Sequence, residues 1–93
     1  MPIPNSLKRD LKARAQHLDP ILKLGHAGPT DAFIQSLVQA LDHHGLVKIR
    51  FTDFKDQKKT LAVEIATRAG ADLIARVGNV AVYYRQPSSP STD

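Results

Sequence analysis

Along this chain the spacing of apolar residues switches repeatedly between about 3.6 residues and 2, and Gly or Pro marks most of the switches. A helix buries a stripe and a strand buries a face, so a chain of this pattern must pack helices on a sheet. Leu7, Leu11, Ala15 and Leu18 repeat at i, i+4, i+8 and i+11, which predicts a first helix over about Leu7 to Leu18 with Ser6 as its N-cap. Lys8, Arg9, Lys12 and Gln16 fall on a flank beside and behind that stripe and make it basic. Asp19-Pro20 ends the helix, because a residue before proline is driven out of the α region, and Ile21 to Leu24 reads as a short strand.

Gly25-His26-Ala27-Gly28 follows as a tight connection. Thr30 caps a second helix over 31 to 44, with Phe33, Ile34, Leu37, Val38 and Leu41 as its stripe and Gly45 as its stop. Leu46 to Phe51 alternates, with Val47, Ile49 and Phe51 facing one way and Lys48 and Arg50 the other. Asp53 is placed to cap a third helix, whose stripe is Leu61, Ala62, Ile65, Ala66 and Ala69 and which Gly70 ends. Asp72 to Val77 and Asn79 to Tyr84 flank Gly78-Asn79 as a final hairpin. The order α-β-α-β-α-β-β predicts a two-layer α/β domain, with helices packed on a mixed sheet of about four strands through right-handed crossovers. Residues 1–85 are expected to form this single domain, and 86–93, rich in Ser and Pro, a disordered tail.

Composition narrows the function classes. Without cysteine there are no disulfides, no thiolate chemistry and no cysteine zinc sites. No apolar run approaches a membrane span, and the first residues lack the charged start and apolar stretch of a secretory signal, so a cytoplasmic location without a membrane partner is the expectation. Glu64 is the sole glutamate, most aspartates are taken by caps and turns, and His43 and His44 point about 100° apart on a helix. A non-catalytic protein without metal, cofactor or small-molecule substrate is therefore expected. Thirteen Lys and Arg against nine Asp and Glu give a formal charge of +4, which attracts polyanions if it is concentrated on one surface.

Two constellations suit a nucleic acid. Gly25 to Gly28 stands between a strand and a helix N-terminus, where the main chain can approach a phosphate and free amides can donate to it; the alternative is a plain turn. Lys48, Arg50, Arg76 and Arg85 are placed to line one sheet face, with Tyr83 sharing the side of Arg85; the alternative is that these cations serve solubility and discourage edge pairing. Lys55, Lys58 and Lys59 gather at the start of the third helix, against its dipole, and Glu64 with Arg68 reads as an i, i+4 surface pair.

These residues resemble the CRM domain family (chloroplast RNA splicing and ribosome maturation), in particular its stand-alone bacterial YhbY-type members. The resemblance spans about Leu7 to Arg85. It is carried by Leu7, Leu11, Ala15 and Leu18, by Asp19-Pro20, by Gly25-His26-Ala27-Gly28 with Thr30, by Leu46 to Arg50, and by Val77-Gly78 through Val82-Tyr83-Tyr84-Arg85. It implies a fold like the C-terminal domain of bacterial translation initiation factor three, a glycine-loop contact to RNA, and association with ribosomal RNA of large-subunit precursors. The family more often has Lys at the position of His26, an apolar residue at Pro29 and Lys at Asn79. The candidate RNA-binding residues are thus Gly25, His26, Ala27 and Gly28 of the loop, Lys8, Arg9 and Lys12 of the first helix, and Lys48, Arg50, Arg76, Tyr83 and Arg85 of the strands. The rival reading is a protein-interaction adaptor that docks an acidic partner through the basic helix.

Overall fold

Helices and strands follow the predicted order in the computed structural model, which describes residues 4–53 and 55–85. The elements are α1 (Asn5–Ala15), β1 (Leu22–Leu24), α2 (Asp31–His44), β2 (Leu46–Phe51), a 3-10 turn (Lys55–Gln57), α3 (Lys58–Ala69), β3 (Asp72–Val77) and β4 (Val80–Tyr84). The sheet order is β1-β2-β4-β3, with β1 parallel to β2 and the other neighbours antiparallel. This is the mixed four-stranded sheet the periodicities predict. The tail expected at 86–93 lies outside the described residues.

The helices divide between the two faces of the sheet. Val47, Ile49, Phe51, Ala81 and Tyr83 point to α2 and α3 and form the larger core with Leu37, Leu41 and Ile65. Their neighbours Leu46 and Val82 point the other way and pack with Ile74 under Leu11 and Ala15 of α1. The expectation of two layers thus gains a third where α1 crosses β2, β4 and β3. The sequence carries a signal for this: Val80-Ala81-Val82-Tyr83-Tyr84 is apolar or aromatic at every position, the pattern of a strand covered on both faces.

Two helix ends differ from the sequence reading. α1 starts at Asn5 after Pro4, so Ser6 lies inside it, and no side chain caps it. Its C-terminal end tightens into i to i+3 bonds, His17 N–H to Arg14 O at 3.2 Å and Leu18 N–H to Ala15 O at 3.0 Å. That tightening ends the α-helix at Ala15 and turns Leu18 off the buried stripe, leaving it 38% exposed. α3 begins only at Lys58, with Gln57 as its N-cap, because the 3-10 turn intervenes; Asp53 lies before that turn and pairs with His26 instead. α2 matches its reading: Thr30 Oγ1 accepts from the Phe33 amide at 3.1 Å, and Gly45 closes the helix with φ 76°, a left-handed value that side chains resist.

Candidate nucleic-acid interface

One end of the molecule gathers the connections that follow β1, β2 and β3. Because β1 runs parallel to β2, and β3 reaches the same end through β4, the glycine loop, the start of α3 and the hairpin turn become neighbours. Hydrogen bonds fasten them together. Leu24 O accepts from the amide and the hydroxyl of Thr52, both at 3.0 Å, and the Phe51 amide donates to Asn79 O. Lys58 Nζ donates to Gly78 O and to Asn79 Oδ1, both at 2.9 Å. Lys58 is therefore held at the first turn of α3 by the hairpin, which offsets its unfavourable place against the dipole.

Gly25 to Gly28 is a closed turn: the Gly28 amide donates to Gly25 O at 3.0 Å, and the Thr30 amide donates to Gly28 O at 2.8 Å. Gly28 is buried with φ 77°, so the turn itself demands glycine there. Its amide is spent within the loop and Pro29 has none. Among the described residues, the donors left for a ligand are the amides of the turn tip, His26 and Ala27, and those of Asp31 and Ala32 in the first turn of α2. Arg68 reaches from α3 to donate to Pro29 O and to Asp31 Oδ1 at 2.6 and 2.8 Å, and it also lies 3.6 Å from Glu64. The pair expected within α3 is thus secondary to a clamp on the loop-helix junction. His26 is fully exposed, with its Nδ1 3.1 Å from Asp53 Oδ2. Among the described residues, a Cβ at Gly25 would meet only Thr52 Oγ1, at 3.9 Å.

A groove runs on the sheet face that α1 leaves open. A cavity of about 500 Å³ is lined by Lys12 and Ala15 of α1, its C-cap Gln16, Lys48 of β2, and Ala75, Arg76, Val77, Val80 and Val82 of the hairpin. A second hollow of about 280 Å³, lined by Lys23, Arg50, Phe51, Thr52 and Asn79, continues it towards the loop. Register joins the two, since Arg50 pairs with Val80 on one side and Lys23 on the other. The side chains of Lys8, Arg9, Lys12, Lys23, Arg50 and Arg76 make no hydrogen bond or ion pair among the described residues. The sequence reading left out Lys23, because only strand pairing sets it beside Arg50.

Several expected contacts are placed elsewhere. Tyr83 is 0% exposed: its ring lies in the α2–α3 core and its hydroxyl donates to Ala62 O at 2.9 Å. It is not a surface aromatic, because the face it shares by period two is the more deeply covered one. Burial pushes its phenol pKa above the ordinary range. Arg85 lies beyond Tyr83 and pairs with Asp42 of α2 at 3.2 Å. Lys48 does share the face of Arg50, yet its ammonium donates to Ala15 O and Leu18 O, both at 3.1 Å, at the end of α1. A β-bulge between Leu73 and Ala75 reverses the alternation of β3, so Arg76 stands opposite Ala81 rather than in the row of Lys48 and Arg50. It still reaches the groove at the sheet edge. The single basic face expected of Lys48, Arg50, Arg76 and Arg85 is thus divided.

A model of the CRS1 / YhbY (CRM) domain matches residues 3–85. The chain is 27% identical over 92 residues to "Probable RNA-binding protein PA4753" of Pseudomonas aeruginosa, covering 98% of this chain and 88% of that one. It is 32% identical over 79 residues to an "RNA-binding protein" of Haemophilus influenzae, covering 84% and 80%. The solution structure of SAV1595 from Staphylococcus aureus, a hypothetical protein described as an RNA-binding candidate, superposes with a TM-score of 0.80 at 26% identity, covering 97% of this chain and 95% of that one. These names point to RNA binding rather than to catalysis. Matched over nearly its whole length, the chain belongs to the CRS1 / YhbY (CRM) domain family.

Proposed function

We propose that this protein binds structured RNA without catalysing a reaction, and that its RNA is ribosomal RNA in precursors of the large subunit. The observation that carries RNA binding is the continuity of the cationic groove with the glycine loop: Lys12, Arg76, Arg50 and Lys23 line adjoining hollows, and Thr52 joins the last of them to Gly25. Cations spaced along a groove neutralise successive phosphates, and loop amides with a helix N-terminus hold one more. The ribosomal target rests on the family resemblance. No helix among the described residues is long and apolar enough to cross a membrane.

A protein partner is the second reading, favoured by one feature. Leu18 and Ile21 are 38% and 53% exposed, and they share a hollow with Arg14, His17 and His44 at the opposite end of β1 from the glycine loop. Titrating RNA against the protein at several salt concentrations separates the two. Neutralising about four phosphates gives a log-log slope of roughly −3 to −4. Ala27→Asp, at the exposed loop tip, should weaken binding about tenfold with unchanged melting, because a carboxylate there opposes the phosphate. RNA affinity that ignores both salt and Ala27→Asp would reject the reading.

A further inference from the structure

Resting on that reading, we infer that the groove between α1 and the β3–β4 hairpin covers the face of an unpaired nucleobase, so that the protein selects loops and bulges over continuous duplex. The floor of the groove carries the argument. It is made of Ala75, Val77, Val80 and Val82, none of which offers a side-chain donor or acceptor. Val77 and Val80 stand directly opposite each other across the hairpin, and Val77 is 74% exposed, the highest value among the exposed large apolar residues. Solubility alone would put a polar residue at that edge position.

The Lys48 ammonium is engaged with backbone carbonyls. Lys48 turns its Nζ to the carbonyls at the end of α1 and leaves only the rest of its side chain along the groove. Phosphates, ribose hydroxyls and the edges of base pairs would all lose water on such a surface without gaining a partner. The face of a base is the one part of RNA that needs no hydrogen bond and gains from being covered. In a continuous duplex that face is hidden by the neighbouring base pairs, whereas loops and bulges leave it open. Charge fits the same occupant. Lys12 and Arg76 line the same groove and can meet the flanking phosphates of an inserted base, and Gln16, the C-cap of α1, offers both a donor and an acceptor to the base edge.

The test compares three RNAs of equal phosphate count: a stem with a single-stranded loop, the same stem with an abasic loop, and a fully paired duplex. Each is titrated against wild type and against Val77→Thr/Val80→Thr, which keeps shape, charge and strand preference and adds only hydroxyls. Wild type should bind the loop RNA about fivefold or more tightly than the abasic loop or the duplex. The double variant should lose that factor on the loop RNA and leave the duplex affinity unchanged. Equal wild-type affinity for all three RNAs overturns the inference and leaves RNA binding standing, whereas no binding to any of them overturns both. Should the double variant melt early, Val77→Thr alone carries the test, since its exposed side chain takes no part in the core; loss of loop preference supports the inference and full retention overturns it.

Discussion

Lys48 and Arg50 stand two residues apart on the same strand face, and the structure separates what each does. The Lys48 ammonium meets two carbonyls where α1 ends: Ala15 O, which also accepts from the Leu18 amide, and Leu18 O just beyond the last turn, at 3.1 Å each. Lys48→Met keeps the apolar stem and removes the ammonium. Hydrogen bonds to a charged group contribute about 1.5–3 kcal/mol when well buried. Here one ammonium serves both carbonyls from a half-buried site, so screening reduces the pair to roughly 1.5 kcal/mol. For a domain of this size that lowers the melting temperature by about 6–12 °C.

The RNA readout should move the other way. A cation already committed to protein carbonyls releases few counterions, so Lys48→Met should leave the slope of log affinity against log salt nearly unchanged in the temperature range where the variant is folded. Arg50→Ala removes an exposed, unpaired guanidinium; it should lower the slope by about 0.7–0.9 with no loss of melting temperature. Calorimetric or dichroism melts and fluorescence titrations over a salt series measure both quantities. Equal melting of Lys48→Met and wild type, or a slope reduced as much by Lys48→Met as by Arg50→Ala, would refute the division of roles.

Gly28→Ala should cost about 1 kcal/mol in urea unfolding, because φ 77° strains a side chain, and it separates the turn's demand for glycine from any effect on RNA. Tyr83→Phe should cost about 1 kcal/mol at neutral pH through loss of the bond to Ala62 O. The raised phenol pKa also fixes a sign. Stability from keeping Tyr83 protonated is complete below the ordinary tyrosine pKa of about 10 and lost as pH climbs towards the higher folded value, so Tyr83→Phe should flatten the alkaline decline seen in denaturant melts; an unchanged decline would count against it. Lys8→Ala with Lys12→Ala should weaken RNA binding about tenfold and lower the salt slope by nearly two, while melting stays within the range of surface substitutions.

How much of this was legible in the sequence depends on whether a feature is local. α2 could be placed from end to end because Thr30 and Gly45 are chemical stops that act on their own backbone. The hairpin was equally readable from Gly78-Asn79, though β4 starts at Val80. The bulge in β3 has no local signature, since it exists only against β4, and it alone moves Arg76 off the row of Arg50. Lys23 was missed for the same reason: three residues of strand say nothing of a neighbour until register supplies Arg50. Tyr83 was misplaced although a signal existed. A strand apolar at every position is covered on both faces, and reading that would have put its ring in the core.

The way the chain spends its cations explains how a net charge of only +4 can still build a directed surface. Lys48 holds the end of α1, Lys58 the hairpin turn, Arg68 the junction of loop and α2, and Arg85 the acidic flank of α2. Each of these bonds fixes a piece of backbone that borders the loop or the groove, or secures an element packed behind it. The unpaired Lys12, Lys23, Arg50 and Arg76 then sit on a frame whose geometry is set before RNA arrives. The consequence is energetic. A loop clamped by Arg68 and closed by its own Gly28 amide has little conformational entropy left to lose on binding, so more of each phosphate contact appears as affinity. The bound cations thus act on RNA through the rigidity they confer, and the unpaired ones through charge.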